Sequence, residues 1–587
     1  MTRSNDTRGS DHLLVLLLFV ALTTAMFVRT WLQPATTWVG WPGDPAQHMW
    51  FLRWLPYALG QGENPLFTTH INYPDGVNLM WNTAMPLPAL VLTPVTVLLG
   101  PFVSYNLFVT TGVALSGWCM YLLARRYVRS TGPALAAGLL YAFSPYVMSQ
   151  ALGGHSNLVQ VYVPPLLFLT LDEVFVRQRR SPYVLGAALG AMGSVQFLIT
   201  EEVLASEALV ALTALITLMV SRRAEVRPRA PYALRALATG VAVMFLVIWV
   251  PFVFQFLGPQ RVEGGTAQAR GIFSSDLVSF VVPSELQALS PGWAEDMADR
   301  YTDACCRGEW GSYLGFPLIA LTVWIVVHYR QRLLVRLLAV LAAVFAVLSM
   351  GPRLHVAGNV TDVPLPFWVV EELPLLQNML PRRLMLYVFL AVALLVALYI
   401  DDRWPRVRDR RERLRVAAIL AVALAPLVPA FPFPSTEGRV PSFFTSDAVR
   451  RLERGSVVVV YPFSRSPATA EPLLWQARSD MWFRMPEGYI LGPDSSGRYA
   501  QLPEPNALFR AMERIERAEP LARITAAHRR GVLEDMADAE VSAVVVGRSP
   551  TRHIASRFFT ELLGRRPVRV GGVDLWEDVD PAALLGR

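Results

Sequence analysis

Four short stretches of the sequence carry side chains able to move a proton or hold a phosphate. The first is Trp41-Pro42-Gly43-Asp44-Pro45-Ala46-Gln47-His48-Met49-Trp50, with Asp44 between a glycine and a proline at the expected start of a helix, Pro45 taking its first position. A carboxylate there either caps the helix, worth about 1 kcal/mol, or acts as a general base. The second is Gly153-Gly154-His155-Ser156-Asn157, a histidine beside flexible glycines at the mouth of an apolar run. Its ring can donate or accept. The third, Gln196-Phe197-Leu198-Ile199-Thr200-Glu201-Glu202, joins two apolar runs almost without a loop, and Glu207 follows inside the second run. Carboxylates that reach hydrocarbon cost up to about 3 kcal/mol each, so these acids need partners. The fourth is Leu380-Pro381-Arg382-Arg383-Leu384, an arginine pair opening another apolar run. Guanidinium is a planar fork of donors that stays charged at physiological pH and matches a phosphate.

The elements that must position these groups follow from composition. Of 587 residues 53% are hydrophobic and only 17% charged, too few charges to cover one large soluble globule. Apolar runs of about 20 residues, enough to cross a bilayer, recur through the first three quarters. Arginines cluster between them at Arg125, Arg126 and Arg129, at Arg177, Arg179 and Arg180, at Arg222, Arg223, Arg227 and Arg229, at Arg330 and Arg332, and from Arg403 to Arg415. Arginine in short loops stays on the cytoplasmic side, so an even number of spans must separate each cluster from the next. Spans at 13–31, 104–124, 133–149, 157–175, 182–200, 203–221, 233–257, 312–328, 334–350, 384–400 and 414–430 satisfy that parity. The Pro-rich stretch 86–100 is too short to span and reads as an interfacial or re-entrant helix. The expected fold is therefore an α-helical polytopic membrane protein of about eleven transmembrane helices. It has a cytoplasmic tail at 1–12, a membrane domain at 13–430 with a large first outer loop at 32–103, and an extracytoplasmic α/β domain at 431–587.

That last region carries strand-like runs at Val457 to Tyr461, Ala543 to Val546 and Val568 to Trp576, with helical runs near 505–540 and 551–563. Its aromatic cluster, Trp475 with Met481, Trp482 and Phe483, serves either as core or as a stacking face for sugars. Cys119, Cys305 and Cys306 have no metal-ligand spacing. The net charge of +7 forms no continuous basic stripe, which argues against a nucleic-acid partner.

Parity brings all four reactive stretches to the outer face, beside outer segments 32–103, 150–156, 258–311 and 351–383. Loops this long are usually functional. An acid, a histidine and outward arginines together suit transfer of a group from an anionic lipid. The carboxylate takes the acceptor's proton as the sugar carbon gains oxocarbenium character, and arginine steadies the leaving phosphate. His155, Glu201, Glu202, Arg382 and Arg383 are then the substrate-binding set.

On these motifs the sequence resembles the GT-C glycosyltransferases over roughly residues 13–400. The likeness rests on the first span followed by a long outer loop with an early acid at Gly43-Asp44, the segment 86–100, Leu-Leu-Ala-Arg-Arg at 122–126 and Phe143-Ser144-Pro145. GDPAQHMWFLRW, GGHSNLVQVYVPP, QFLITEE, GSYLG at 311–315 and LPRRL at 380–384 are similar to a bacterial, largely actinobacterial subgroup of membrane glycosyltransferases. The resemblance implies Asp44 as general base, a polyprenyl-phosphate sugar donor, a cell-envelope acceptor and a plasma-membrane location. It departs from the pattern in having a single first-loop acid and no clear metal-binding motif, so no cofactor is assigned and a divalent metal is left open. Two other classes remain. A transporter or flippase of a lipid-linked substrate would place its site near the bilayer midplane within inverted repeats, which the sequence lacks. A non-catalytic envelope scaffold would need the loss of only one or two residues.

Overall fold

The computed structural model of the chain describes residues 9–301, 307–374, 376–407, 409–519 and 525–586; Cys305, Cys306, Arg408 and the arginines of the N-terminal tail lie outside them. Proline starts most of the long helices. It stands at the first or second position of Asp44–Gln61, Pro101–Arg125, Pro145–Leu152, Val163–Asp172, Pro182–Phe197, Ala230–Leu257 and Phe316–Tyr329, where its missing N–H costs nothing. Every segment expected to span is helical in whole or part. Among the described residues four helices are long and apolar enough to cross a membrane, Pro101–Arg125, Thr131–Leu152, Glu201–Leu257 and Pro381–Arg406, and three shorter apolar helices run at Ser10–Met26, Phe316–Tyr329 and Leu333–Ser349. Along Ala230–Leu257 the side chains of Leu234, Val241, Leu246, Val247, Trp249 and Val250 lie exposed, as lipid-facing groups do. The protein is a mostly helical membrane protein.

Local chemistry shifts three boundaries. The 133–149 segment breaks at Phe143, because Ser144 caps a new helix through the Val147 N–H and Pro145 opens it. The 157–175 segment is not helical until Val163, where Pro164 and Pro165 can begin a helix but could not continue one. The turn left behind carries His155. The stretch 86–100 forms two short helices, Pro86–Val91 and Thr93–Leu99, with Leu90, Val91, Val97, Leu98 and Leu99 exposed.

The helix Met385–Arg403 is buried on every side from Met385 to Tyr399 and forms the axis of the bundle, packed by Thr131–Ala142, Phe316–Tyr329 and Leu333–Ser349. At one end the arginine loops converge. Arg126 and Arg177 pair with Asp172, while Asp402 accepts from Tyr329, Arg332 and Arg406 at 2.5 to 2.8 Å. The segments expected outside gather at the other end. There the hairpin Arg353–Val356 and Asn359–Pro364 is clamped by Asp276, whose carboxylate accepts from the Ala357 and Gly358 N–H groups at 3.0 and 2.8 Å.

The C-terminal residues form a sheet in the order Val568–Val570, Val573–Trp576, Val541–Val546, Val457–Tyr461, with the last two strands parallel. The expected run 568–576 is thus a hairpin turning at Gly571-Gly572. Side chains alternate across the sheet. Val459, Tyr461, Val544 and Val546 pack on the helices Ala507–Glu516, Ala526–Asp538 and Arg552–Leu563. Val458, Val460, Ala543 and Val545 share a core with Trp50, Trp54 and Ile71 of the first loop. Trp475 and Phe483 are fully buried in that core, so they offer no face to a sugar. Strand Thr37–Val39 also pairs antiparallel with Ser435–Glu437, tying the first loop to the C-terminal region a second time.

Glu487 lies at the seam of that shared core. Burial pushes its carboxyl up to about 8, against the Val460 N–H, which donates to one oxygen at 2.9 Å, while the other oxygen has no hydrogen-bond partner. The fold favours the neutral acid. Its contribution is therefore complete below the unfolded value of about 4.3 and is lost as pH rises through about 8. Glu487→Gln is expected to flatten the fall in Tm between pH 5 and 8; melting curves that fall in parallel for both proteins would contradict this.

Candidate functional site

The helix Asp44–Gln61 begins where the first loop turns into the bundle, and Gly43 is its N-cap, with φ 127°. Asp44 is therefore the first helical residue, not the cap, Pro45 follows second, and no side chain caps this end. The Asp44 carboxylate faces outward from the helix start. Tyr489 Oη donates to its Oδ1 at 3.2 Å, and His155 Nε2 lies 3.3 Å from its Oδ2.

Two close backbone approaches bring His155 there. Gly154 has φ +80°, and a Cβ on it would run into the Pro45 ring, so only glycine lets this turn lie on the start of the Asp44 helix. Gly153 lies against Gly308, where a Cβ on Gly153 would meet the Gly308 Cα at 2.8 Å. That contact sets the turn Arg307–Glu309 beside the histidine. Gly154→Ala is expected to lower Tm, since left-handed strain costs about 1–2 kcal/mol and the clash with Pro45 adds to it, and to depress activity by moving His155 away from Asp44. Thermal unfolding and turnover measured together check it; wild-type values in both would show the approach is not required.

From His155 the polar groups continue as a row. Nδ1 lies 2.6 Å from Gln150 Oε1 and 3.7 Å from Glu309 Oε1. Gln150 Nε2 donates to Glu309 Oε2 at 3.2 Å. Arg383 then grips Glu309 Oε1 with Nε and Nη2, at 3.1 and 2.9 Å, and Glu202 with Nη1 at 2.5 Å. Glu202 also accepts the Leu380 N–H at 2.9 Å, which fixes the turn before Arg383. Glu309 is almost wholly buried, its side chain 1% exposed, whereas Asp44, His155, Arg383 and Glu202 keep 18 to 20%. Tyr489, Asp44, His155, Gln150, Glu309, Arg383 and Glu202 thus form one connected line of polar side chains, Gln150 bridging His155 to Glu309, at the end of the bundle away from the arginine loops.

The electrostatics favour a charged Asp44. Burial pushes its carboxyl up, but the hydrogen bond and charge of His155, with His48 and the Tyr489 hydroxyl, outweigh that and hold it below the ordinary value. Burial raises Glu309 likewise, and Arg383, His155 and Arg382 bring it below its usual range. His48 is pressed down to about 4, chiefly by burial, and its Nδ1 sits 2.8 Å from Ser156 Oγ. At neutral pH its ring is uncharged.

Four of the six residues singled out from the sequence meet here: Asp44, His155, Glu202 and Arg383. The other two point elsewhere. Glu201 accepts from Gln255 Nε2 at 3.0 Å, on the far side of the helix start. Arg382 is buried and turned onto backbone carbonyls, donating to Ser274 O and, at 3.0 Å, to Glu309 O. Its role here is to hold the loops that carry Glu309. Sequence reasoning missed Gln150, Glu309 and Tyr489 in the row. Glu309 had a signal, a lone acid between Gly308 and Trp310 just before GSYLG. Tyr489 had none. A narrow cavity of about 10 Å³, room for a water molecule, lies beside Arg383 and Glu202, walled by Tyr146, Leu158, Val203, Ser206, Met379 and Leu386.

Residues 13–428 match the family model described as Domain of unknown function (DUF6311). The chain belongs to that family. No curated protein matches this DUF6311 member. Its fold is similar to the cryo-EM structure of the arabinofuranosyltransferase AftD from mycobacteria, with a TM-score of 0.53 at 14% identity, covering 99% of this chain and 40% of that one. A mutant AftD structure gives a TM-score of 0.52 at 15% identity, covering 99% of this chain and 42% of that one. The archaeal oligosaccharyltransferase AglB from Archaeoglobus fulgidus scores 0.48 at 12% identity, over 94% of this chain and 71% of that one. The chain therefore spans about two fifths of the AftD structure it resembles. The shared fold is GT-C-like, as the sequence motifs imply. Among the described residues no group of three or more His, Cys, Asp or Glu side chains is arranged to hold a metal ion.

Proposed function

We propose that this protein is an integral membrane glycosyltransferase that moves a sugar from a polyprenyl-phosphate donor to a cell-envelope acceptor at the outer face of the plasma membrane. The observation that carries the reading is the row from Asp44 through His155, Gln150 and Glu309 to Arg383, which sets a carboxylate and a guanidinium in one connected set of side chains.

In the step proposed, the acceptor hydroxyl oxygen bonds to the anomeric carbon while the bond from that carbon to the phosphate oxygen breaks. The bonding pair leaves with the phosphate, and the hydroxyl proton passes to the Asp44 carboxylate. A base held below its ordinary pKa is weak toward a free alcohol. It suffices here because a hydroxyl bonding to an oxocarbenium-like carbon becomes strongly acidic. Arg383 presents its fork to the departing phosphate and must loosen its hold on Glu202 to do so, since both compete for the same N–H groups. Glu202, His155 and Glu309 keep the row ordered.

The orientation proposed puts the arginine loops in the cytoplasm and the row, with residues 431–587, outside, as the arginine bias requires. Single cysteines in 431–587 should react with an impermeant thiol reagent in intact cells, and cysteines at the arginine loops only after lysis; the reverse pattern would overturn the sidedness. Reconstituted in vesicles, the protein should transfer sugar without moving the donor across the bilayer. Transbilayer movement without transfer would favour the flippase class instead.

A further inference from the structure

We propose that Tyr489 is a positioning residue for Asp44, so that the C-terminal part of the chain completes the active site. The inference rests on the reading of Asp44 as base, and it concerns a residue outside the 13–428 stretch that the family model matches.

The contact is built at two points. Asp44 and Gln47 stand three positions apart, on one face of their helix. Tyr489 Oη donates to the Asp44 carboxylate at 3.2 Å, and the Gln47 amide donates to the Tyr489 backbone carbonyl. The chain beyond is pinned as well: the Leu491 N–H donates to Asn82 Oδ1 at 2.8 Å, and Asn82 Nδ2 donates to Leu491 O at 2.9 Å. On the other flank Pro467 packs against Gly43, the cap of the Asp44 helix. The C-terminal region therefore grips the first turn of that helix from two sides.

The physical role follows from the carboxylate's own freedom. A carboxyl group turns easily about its last torsion, whose preferences are broad. With His155 on Oδ2 and Tyr489 on Oδ1, both oxygens are directed and the plane of the base is fixed before an acceptor arrives. The titratable groups facing Asp44 are His155 and His48 from the bundle and its own helix, Tyr105 from the helix Pro101–Arg125, and Tyr489, with Glu309 beyond His155. A hydrogen bond to the charged form favours the charge, so losing the phenol moves Asp44 toward a higher pKa.

The test is Tyr489→Phe in the full-length protein, which keeps the ring and removes only the hydroxyl. The expected result is a fall in kcat of about ten-fold or more with an unchanged acceptor KM and Tm, and an acid limb of the pH–rate profile displaced to higher pH. Added to Asp44→Asn, the same change should cost nothing further. Wild-type kcat and an unmoved acid limb, with Asp44→Asn inactive, would overturn the role of Tyr489 and leave the base in place. A loss confined to KM, or a loss of kcat with an unmoved acid limb, would also overturn it. Activity persisting in Asp44→Asn would instead remove the base on which the inference rests.

Discussion

Asp44→Asn is expected to lower turnover at least about a hundredfold, the usual scale for loss of a general base, while the protein still folds with a Tm lowered only by the lost attraction to His155. The two effects separate cleanly because Asp44 caps nothing: Gly43 holds the cap position and the helix end uses no side-chain hydrogen bond. Asparagine has nearly the same shape and still accepts from Tyr489 Oη. What it lacks is the capacity to take the acceptor's proton. Turnover in the wild-type range would mean that the Asp44 carboxylate serves only to hold His155 and that the base lies elsewhere.

The second large effect belongs to Arg383, whose guanidinium spans two carboxylates from different helix ends. Arg383→Ala leaves Glu309 buried without its cation, a loss of about 3–5 kcal/mol for a broken buried pair, and is expected to yield little folded protein. Arg383→Lys is the more informative change. Lysine keeps the charge but reaches Glu202 or Glu309 from a single point, so the folded fraction should bind donor about ten-fold more weakly, the value of roughly 1.4 kcal/mol. Arg382→Lys gives the contrast, since its partners are peptide carbonyls: a lower Tm with unchanged donor affinity. Equal donor affinity in Arg383→Lys and the parent would remove the phosphate from this arginine.

Much of this arrangement was legible in the sequence because a bilayer punishes exceptions. An arginine pair opening an apolar run, a histidine directly after two glycines and acids at a hairpin tip each violate a local expectation, and Arg383, His155 and Glu202 are among them. What sequence could not separate were neighbours of one type. Glu201 and Glu202 are adjacent in the chain but about 100° apart around an α-helix, and Arg382 and Arg383 about 120° apart around the tighter turn Pro381–Leu384, so one of each pair faces the row and the other faces a carbonyl or an amide. The helix expected from 157 begins only at Val163, where Pro164 and Pro165 decide its start, and those expected from 312 and 414 begin at Phe316 and Arg410. Glu309 lay inside a long loop whose shape depends on contact between Gly153 and Gly308, some 155 residues apart. Tyr489 is further still, brought to Asp44 only by the core that the C-terminal sheet shares with the first loop.

The central claim is tested most directly by incubating purified wild-type protein and Asp44→Asn with radiolabelled polyprenyl-phosphate sugars and a cell-envelope acceptor fraction. The account predicts label moving from the lipid phosphate to the acceptor with the wild type, and transfer at least about a hundredfold slower with the variant, at equal donor binding. Equal transfer by both proteins, or bound donor that is never turned over by the wild type across the sugars tried, would contradict it.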